Sequence, residues 1–545
     1  MTTHTPSRRR FLHLSASAAG ATLLVPATAA RPARGDVPPR FAHGVASGDP
    51  LPESVLLWTR VTPVADARPG SGEGPEVDVR WTVFRDAALA DPVATGTVTT
   101  GPARDHTVRV NVRGLSPGTT YWYRFGLDGA WSGVGRTRTA PALAASPDRL
   151  RFGLVSCSNW QAGHFAAYRH LARRDDLDLV VHVGDYLYEY AAGQFDAGGT
   201  TVRPHSPANE ATTLADYRRR HAQYKTDPDL QALHAKVPWA VTWDDHESAN
   251  DAWARGAQNH TPATEGPWSE RVAAARQAYF EWMPIRSTSG GRIYRRLRFG
   301  RLADLSLLDL RSYRSRQVSP LDRAIARPDR TITGGRQLDW VTDGLSDSDA
   351  RWRLVGNSVM ISPLGLDFVP NDVAGAIARL VGVPEDGLVA NADAWDGYPA
   401  DRRRLLDHLG REGIDNTVFL TGDIHSSWAC NVPDDAALYP LSRSLATEIV
   451  TTSVTSDNVD DILRVPPRSV SPLAETVIRT LNRHIAYTEL DSHGYVVVDV
   501  TAERTQADWF HLADRTARGS GARRAVSYAT PSGTRRLRRV RRAIA

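Results

Sequence analysis

Leu-Asp-Leu-Val-Val-His-Val-Gly-Asp-Tyr-Leu-Tyr-Glu, residues 177–189, is the stretch that decides the fold of this chain. The apolar run that ends at Val183 is rich in valine and too short for a helix, so it predicts a buried strand. Asp185 and Tyr188 follow directly, at the edge where a parallel sheet presents polar groups to a ligand. A carboxylate and a phenol on one tight turn suit a hard cation such as ferric iron. The alternative is a strand end with solvated acids.

Further strands of the same kind end in polar side chains. Short apolar runs that alternate with helical segments from residue 150 onward predict a parallel α/β core. The side chains at the strand ends are all of metal-ligand types: Cys157, Asp185, Tyr188, Asp245, His246, Asn357, Asp423 and His425. Thiolate, phenolate, imidazole and carboxylate groups suit ferric iron, whereas carboxylates and an amide oxygen suit calcium. Asp185 can then bridge two metal ions that together hold a phosphoryl group. Beside them, His246 can donate a proton to the leaving group.

Each of these residues also has a simpler interpretation. Cys157 and Cys430 are the two cysteines of the chain and can form a disulfide in an oxidising compartment. Because Cys157 closes a buried strand at the sheet edge, we expect it to be a ligand and Cys430 to be a buried free thiol. Tyr188 can simply pack, and Asn357 can cap a strand. The neighbouring side chains His182, Tyr186 and Tyr190 are expected to support the site and not to form it.

Five motifs resemble those of the PhoD alkaline phosphatases, a branch of the calcineurin-like metallophosphoesterases. They are Ser156-Cys157-Ser158, Gly184-Asp185-Tyr186-Leu187-Tyr188-Glu189, Trp243-Asp244-Asp245-His246-Glu247, Gly356-Asn357, and Gly422-Asp423-Ile424-His425. The resemblance implies that iron is bound by Cys157, Asp185, Tyr188 and His425. It implies that calcium is bound by Asp185, Asp245, Asn357 and Asp423, with His246 facing the phosphate. One Fe³⁺ and one or two Ca²⁺ are expected, although the ligands of a second calcium are not identifiable from the sequence.

The resemblance implies a secreted phosphatase. Such an enzyme hydrolyses phosphate monoesters, diesters or both at alkaline pH, by in-line attack of a metal-activated water or hydroxide. The main alternative is a phosphodiesterase of the phospholipase D type, or one acting on teichoic acid, with the same metal cluster. A non-catalytic, calcium-dependent surface-binding protein is the remote alternative.

The chain divides into segments of different texture. Residues 1–30 carry Arg8-Arg9-Arg10 before a weakly apolar run, which predicts a twin-arginine signal peptide and hence export by that machinery to the cell wall or the medium. Residues 37–141 predict a small all-β, fibronectin III-like sandwich. After a linker at 142–149, residues 150–530 predict an α/β catalytic domain, in which two sheets are flanked by helices. Residues 531–545 form a basic tail.

Charge and hydropathy exclude two classes of protein. Removal of residues 1–29 takes away three arginines and no acids, so the formal net charge falls from +5 to about +2. That charge does not predict a nucleic-acid-binding protein. No run of about 20 apolar residues follows the N-terminal segment, so no transmembrane segment is expected in the mature protein. The arginine-rich tail allows weak association with an anionic cell wall; a solvated terminus is the simpler interpretation.

Overall fold

The computed structural model describes residues 40–286, 291–319, 322–364 and 391–544. The predicted signal peptide lies outside these residues, as does most of a segment at 367–399 whose sequence predicts an irregular loop. The strands are, in chain order, β1 Val45–Leu51, β2 Ser54–Arg60, β3 Val77–Phe84, β4 Pro92–Thr100, β5 Thr107–Arg113, β6 Thr120–Leu127, β7 Ala130–Trp131, β8 Gly135–Arg138, β9 Arg149–Val155, β10 Leu179–Val183, β11 Trp239–Thr242, β12 Arg295–Phe299, β13 Ala303–Leu307, β14 Trp352–Asn357, β15 Thr417–Thr421, β16 Ser427–Pro433, β17 Ser444–Val450, β18 Ile485–Glu489, β19 Gly494–Thr501, β20 Arg504–Leu512, β21 Ala522–Pro531 and β22 Arg538–Arg539.

Two large sheets make up most of the β structure of the described residues. A ten-stranded sheet has the order β22-β21-β20-β19-β9-β10-β11-β1-β2-β5, and a seven-stranded sheet has the order β12-β13-β14-β15-β17-β16-β18. Strands β9, β10 and β11 are parallel to one another, as are β13, β14, β15 and β17. Strands β10 and β15 are buried along their whole length, which explains why their sequences are nearly continuous apolar runs and do not alternate.

The two sheets pack face to face and carry helices on their outer sides. Side chains of both sheets, among them Leu154, Val181, Leu305 and Leu420, share one buried apolar cluster. The helices are Ala166–Ala172, Leu214–Tyr224, Pro228–Lys236, Pro262–Glu265, Trp268–Trp282, Gly335–Ser346, Pro399–Arg411, Val459–Leu463 and Ser471–Leu481, with short 3₁₀ turns at Pro102–Arg104, Arg323–Ala326 and Trp395–Gly397. The predicted two-sheet sandwich flanked by helices is therefore confirmed.

The N-terminal β region is continuous with the ten-stranded sheet. Its strands β3, β4, β6, β7 and β8 form a separate small sheet, and Tyr121 is buried with its hydroxyl accepting a hydrogen bond from Ser116 N at 2.8 Å, as expected at a sandwich corner. The opposing sheet of this sandwich, however, consists of β1, β2 and β5, and β1 pairs in parallel with β11. Hydrogen bonds of this pairing join the two regions. The division of the chain into two domains at 141–150 therefore stays a prediction.

Asp49 strengthens this junction. The sequence Asp49-Pro50 favours a turn, yet Asp49 is fully buried within β1 and forms a two-pronged ion pair with Arg295 of β12, at 2.5 and 2.8 Å. The expected turn is an irregularity within β1, since the register of β1 with β2 shifts between Gly48 and Leu51 and Asp49 has φ = 45°. The partner of its carboxylate lies 246 residues away.

The basic C-terminal segment is packed against the sheet. Arg538 and Arg539 pair with β21, and Ile544 N donates a hydrogen bond to Asp508 Oδ2 at 2.8 Å. The arginine side chains at 536, 538, 539, 541 and 542 remain exposed. In the described part of the chain, no helix combines the length and the apolar character that crossing a membrane requires.

Candidate metal centre

The predicted ligands lie on sharp turns directly after buried strands. Cys157 N donates a hydrogen bond to Gly184 O at 3.2 Å, and Ser158 N donates one to Asp185 O at 2.9 Å, so the turns after β9 and β10 hold each other. Cys157, Asp185, Asp423 and His425 all have left-handed backbones, with φ between 54° and 63°. Such a conformation costs a non-glycine residue about 1–3 kcal/mol and is concentrated at functional sites. Four strained residues on turns that follow strands of both large sheets indicate a site that the fold holds in place.

One group of donors surrounds the Asp185 carboxylate on the side of Cys157. Single ligand atoms of Cys157, Asp185 and His425 lie within 4.8 Å of one another. The Tyr188 hydroxyl donates to Asp185 Oδ2 at 2.9 Å and lies 3.3 Å from His425 Nε2. The His425 Nδ1 lies 2.8 Å from Asp457 O, an acceptor that places the proton on Nδ1 and leaves Nε2 as a free donor atom for a metal. The structure therefore brings together all four residues predicted to bind iron.

A second group shares Asp185. Ligand atoms of Asp185, Asp245 and His246 also lie within 4.8 Å of one another. The Asp185 Oδ1 and Asp245 Oδ1 atoms are buried and have no hydrogen-bond partner among the described residues. A buried carboxylate oxygen without a partner is costly, and a cation is the usual remedy. These two atoms are the clearest indication that the site is built for metal.

Arg311 lies between two of the residues predicted to bind calcium. Its Nη2 is 3.8 Å from Asp245 Oδ1 and 3.8 Å from Asp423 Oδ1, while its guanidinium binds Asp244 and Asp393 at 2.6–3.0 Å. Asp245 and Asp423 are thus on the same side of the site. A buried arginine there offsets part of the negative charge of this acidic cluster.

Asn357 is less directly placed at the site. Its Oδ1 accepts a hydrogen bond from Trp395 Nε1 at 2.8 Å, and its Nδ2 donates to Val359 O and, at 3.3 Å, to Thr421 Oγ1. An amide oxygen has a second lone pair, so Asn357 can still bind a cation, and its role as a ligand stays a prediction. The buried side chain, with hydrogen bonds at both Oδ1 and Nδ2, equally fits the interpretation of a strand-end residue.

Burial dominates the electrostatics of the site. Burial and then the charge of Asp185 raise the pKa values of Cys157 and Tyr188 well above their ordinary values. Burial, reinforced by the charge of Asp244, likewise raises the pKa of Asp423. Burial lowers the pKa of His425 to about 4, so its ring is neutral and able to bind a metal. Cations in the site would stabilise the anionic forms of the thiol, phenol and carboxyl groups.

His246 has the opposite balance. Burial opposes its protonation, but the charges of Asp245, Glu189 and Asp185 together raise its pKa well above the ordinary value. Its Nδ1 lies 2.8 Å from Glu189 Oε2, which is fully buried. Its ring also borders an open cavity of about 550 Å³, together with Tyr188 and His425. A protonated imidazole that is held by a carboxylate and faces a cavity can donate a proton there.

Two glycines allow the strand ends to approach. Gly184 has φ = 117°, and an added Cβ would lie 2.5 Å from Asp244 Cβ. A Cβ on Gly422 would lie 2.2 Å from Ser156 Oγ. Both distances are far shorter than van der Waals contact, so larger residues would separate the turns that carry the ligands.

Several supporting residues are absent from the sequence-based set. Glu247 accepts hydrogen bonds from the backbone N–H groups of Asp185, Tyr186 and Asp244, at 2.7–3.1 Å. Ser456 Oγ donates to the Tyr188 hydroxyl at 2.7 Å. The motif Asp-Asp-His-Glu contains Glu247, but nothing in the sequence indicates that it binds backbone groups. Cys157 and Cys430 are free and buried, and His182, Tyr186 and Tyr190 pack beside the site, as expected.

Comparisons with known proteins give one consistent result. The family model of the PhoD-like phosphatase matches residues 152–509, and that of the N-terminal domain of PhoD-like phosphatases matches residues 27–141. Alkaline phosphatase D of Bacillus subtilis is 35% identical over 515 residues, which are 92% of this chain and 82% of that protein. A solved structure of PhoD superimposes with a TM-score of 0.82 at 34% identity, and the match covers 93% of each chain. A purple acid phosphatase from yellow lupin seeds matches with a TM-score of 0.50 and 11% identity, over 88% of this chain and 73% of that one, which is a likeness of fold.

Proposed function

The chain belongs to the PhoD-like phosphatase family and is a phosphoesterase, and from this premise we propose that it hydrolyses phosphate esters at the site centred on Asp185. The observation that carries the proposal is the position of Asp185 in two overlapping groups of donor atoms. His246, beside one of these groups, borders the open cavity, where an ester can enter. Alkaline phosphatase D of Bacillus subtilis supports an alkaline working range.

The donor atoms fit an iron–calcium centre. Cys157, Asp185, Tyr188 and His425 would hold Fe³⁺, because thiolate and phenolate groups favour a trivalent iron. Asp185, Asp245, Asn357 and Asp423 would hold Ca²⁺, because all four offer oxygen atoms. One iron and one or two calcium ions are proposed. When bound, such cations supply positive charge to the phosphoryl oxygens and lower the pKa of an attacking water.

The protein's own groups would orient the ester and move the proton. Glu189 holds the proton on His246 Nδ1, which leaves Nε2 to donate its proton to the leaving oxygen as the phosphorus–oxygen bond breaks. The buried Glu247 fixes the backbone of Asp185 and Asp244, so the acceptors of the site keep their positions during the reaction. Water attacks from the side opposite to the leaving group, and the products are phosphate, or a phosphomonoester, and an alcohol.

Export and surface association are proposed on sequence grounds and on charge. The twin-arginine signal supports export of an already folded protein. For the exposed arginines at 536, 538, 539, 541 and 542, no carboxylate lies within ion-pair distance among the described residues. Such a cluster supports weak, salt-sensitive binding to an anionic cell wall.

The range of esters is tested by paired model substrates. We expect p-nitrophenyl phosphate and bis(p-nitrophenyl) phosphate to be hydrolysed by the same site, so Asp185→Asn abolishes both activities. A strong difference in kcat/KM in favour of the diester would support a phosphodiesterase acting on phospholipid or teichoic acid. Full activity of Asp185→Asn would overturn the proposed site, whereas hydrolysis of neither ester by the metal-loaded wild type would favour the surface-binding alternative.

A further inference from the structure

A ladder of aromatic rings leads from His246 to solvent. The Tyr188 and His246 ring centroids are 4.2 Å apart, those of His246 and Tyr190 are 5.1 Å apart, and those of Tyr190 and Phe195 are 4.2 Å apart with an interplanar angle of 27°. Phe195 ends the ladder, and 65% of its surface is exposed. All four residues border the cavity of about 550 Å³. The rings therefore form one wall that runs from the proton donor to the cavity mouth.

Phe195 is held in place despite its exposure. Asn159 Nδ2 donates to Phe195 O at 2.7 Å, and the buried Gln161 Nε2 donates to Gln194 O at 2.9 Å and to Ala191 O at 3.1 Å. The backbone of Phe195 is left-handed, with φ = 52°, a conformation that is unfavourable for a large side chain. A strained backbone and an apolar ring in water are two unfavourable features, which a ligand on the ring would offset.

The other side of the cavity mouth suits the same kind of ligand. Ile462 is 68% exposed there. Arg464, two residues after Ile462, also borders the cavity. Within the described residues, no carboxylate lies within ion-pair distance of its guanidinium. The guanidinium lies against the backbone of Gly199, whose added Cβ would be 3.2 Å from Nη2. Aromatic, aliphatic and guanidinium groups all pack well on the face of a planar ring.

We propose that Tyr190, Phe195, Ile462 and Arg464 form a leaving-group subsite for a planar aromatic ring, so that the enzyme prefers phosphate esters of alcohols that carry one, such as nucleosides. The phosphate would lie at His246 and the ring at Phe195. Hydrolysis breaks the phosphorus–oxygen bond, transfers the phosphoryl group to water and releases the nucleoside with a proton on its oxygen. This inference rests on the proposed phosphoesterase site and adds its substrate class.

A matched pair of substrates isolates the ring. Adenosine 5′-monophosphate and ribose 5-phosphate carry the phosphate on the same primary oxygen, and the main difference between them is the base. The metal-loaded wild-type enzyme should favour the nucleotide in kcat/KM by about tenfold, the typical effect of one stacked base. Phe195→Ala should lower that preference to near unity, whereas Phe195→Tyr should retain it. Trp131→Ala removes an exposed ring of the N-terminal sheet and should leave the preference unchanged.

A binding measurement separates this inference from the proposed function. Adenosine, which has no phosphate, should bind the wild-type protein in calorimetry and bind Phe195→Ala about tenfold more weakly. Equal kcat/KM values for the two phosphates in the wild type, or an unchanged preference in Phe195→Ala, would overturn the subsite. Failure to hydrolyse either phosphate, together with failure on both nitrophenyl esters, would instead contradict the proposed function, and adenosine binding would still report on the subsite.

Discussion

Glu189→Gln is expected to slow catalysis by displacing the proton donor. Glu189 Oε2 pairs with His246 Nδ1 at 2.8 Å, and Oε1 accepts from Asn250 N at 2.7 Å and from Asn259 Nδ2 at 3.2 Å. Glutamine keeps the shape of the side chain, but its amide nitrogen accepts no hydrogen bond. Either His246 or Asn250 therefore loses its acceptor.

The size of the effect follows from the bond that is lost. A hydrogen bond to a charged group contributes about 1.5–3 kcal/mol. If His246 needs this bond only as it gives up its proton, kcat falls by about 10- to 150-fold while KM changes little. The Glu189 charge also helps to raise the pKa of His246, although the charge of Asp245 contributes more and burial opposes both. Its removal destabilises the imidazolium, so the alkaline limb of the kcat profile should move to lower pH.

The assay is the pH dependence of kcat and KM for p-nitrophenyl phosphate, with metal content measured on the same samples. Glu281→Gln is the control, because Glu281 is also buried and pairs with Arg218 at 2.7 Å without contacting His246. An increase in KM with unchanged kcat, or an equal loss in Glu281→Gln, would refute the reasoning.

Two further predictions address the scaffold. Gly422→Ala should reduce kcat/KM by about tenfold or more, because the new Cβ would lie 2.2 Å from Ser156 Oγ. The control Gly335→Ala should retain activity, because no atom lies within 4 Å of its added Cβ. Equal activities of the two variants would contradict the close packing at Gly422. His43→Phe should make stability less sensitive to acid, because burial, aided by Arg60, lowers the pKa of His43 to about 3. The folded protein keeps this ring neutral while the unfolded chain protonates it, so the free energy of unfolding falls by about 1.4 kcal/mol for each pH unit below 6.5, down to about pH 3. Urea unfolding midpoints of the wild type should therefore fall more steeply over that range than those of the variant. Parallel curves for the two proteins would contradict the assignment.

The ends of the strands were predictable because their chemistry is local. Asp185 and Cys157 follow apolar runs, and parallel strands bring their carboxyl ends to one edge, so the sequence alone predicted that they meet. The sequence predicted the N-terminal sandwich but not the pairing of β1 with β11, because that pairing joins residues far apart in the chain, which no local pattern reveals. For the same reason the ion pair between Asp49 and Arg295 was not predictable, since Arg295 is distant in the chain.

The residues that hold the ligands were harder to recognise. Arg311 lies four residues after the end of β13, where an arginine suggests no metal site, and only the structure places it between Asp245 and Asp423. Glu247 binds backbone groups, which leave no signature in a sequence. Phe195 lies in a loop whose sequence carries no periodic pattern, so its contact with Tyr190 depends on the course of the chain.

The metal content and visible spectrum of the folded protein test the central claim most directly. The account predicts iron with one or two calcium ions per chain, and a visible charge-transfer band from thiolate and phenolate bound to ferric iron. That band should weaken in Cys157→Ser and in Tyr188→Phe, while Cys430→Ser, which changes the other buried free thiol, should leave it intact. A colourless protein that carries zinc and is fully active would contradict the account.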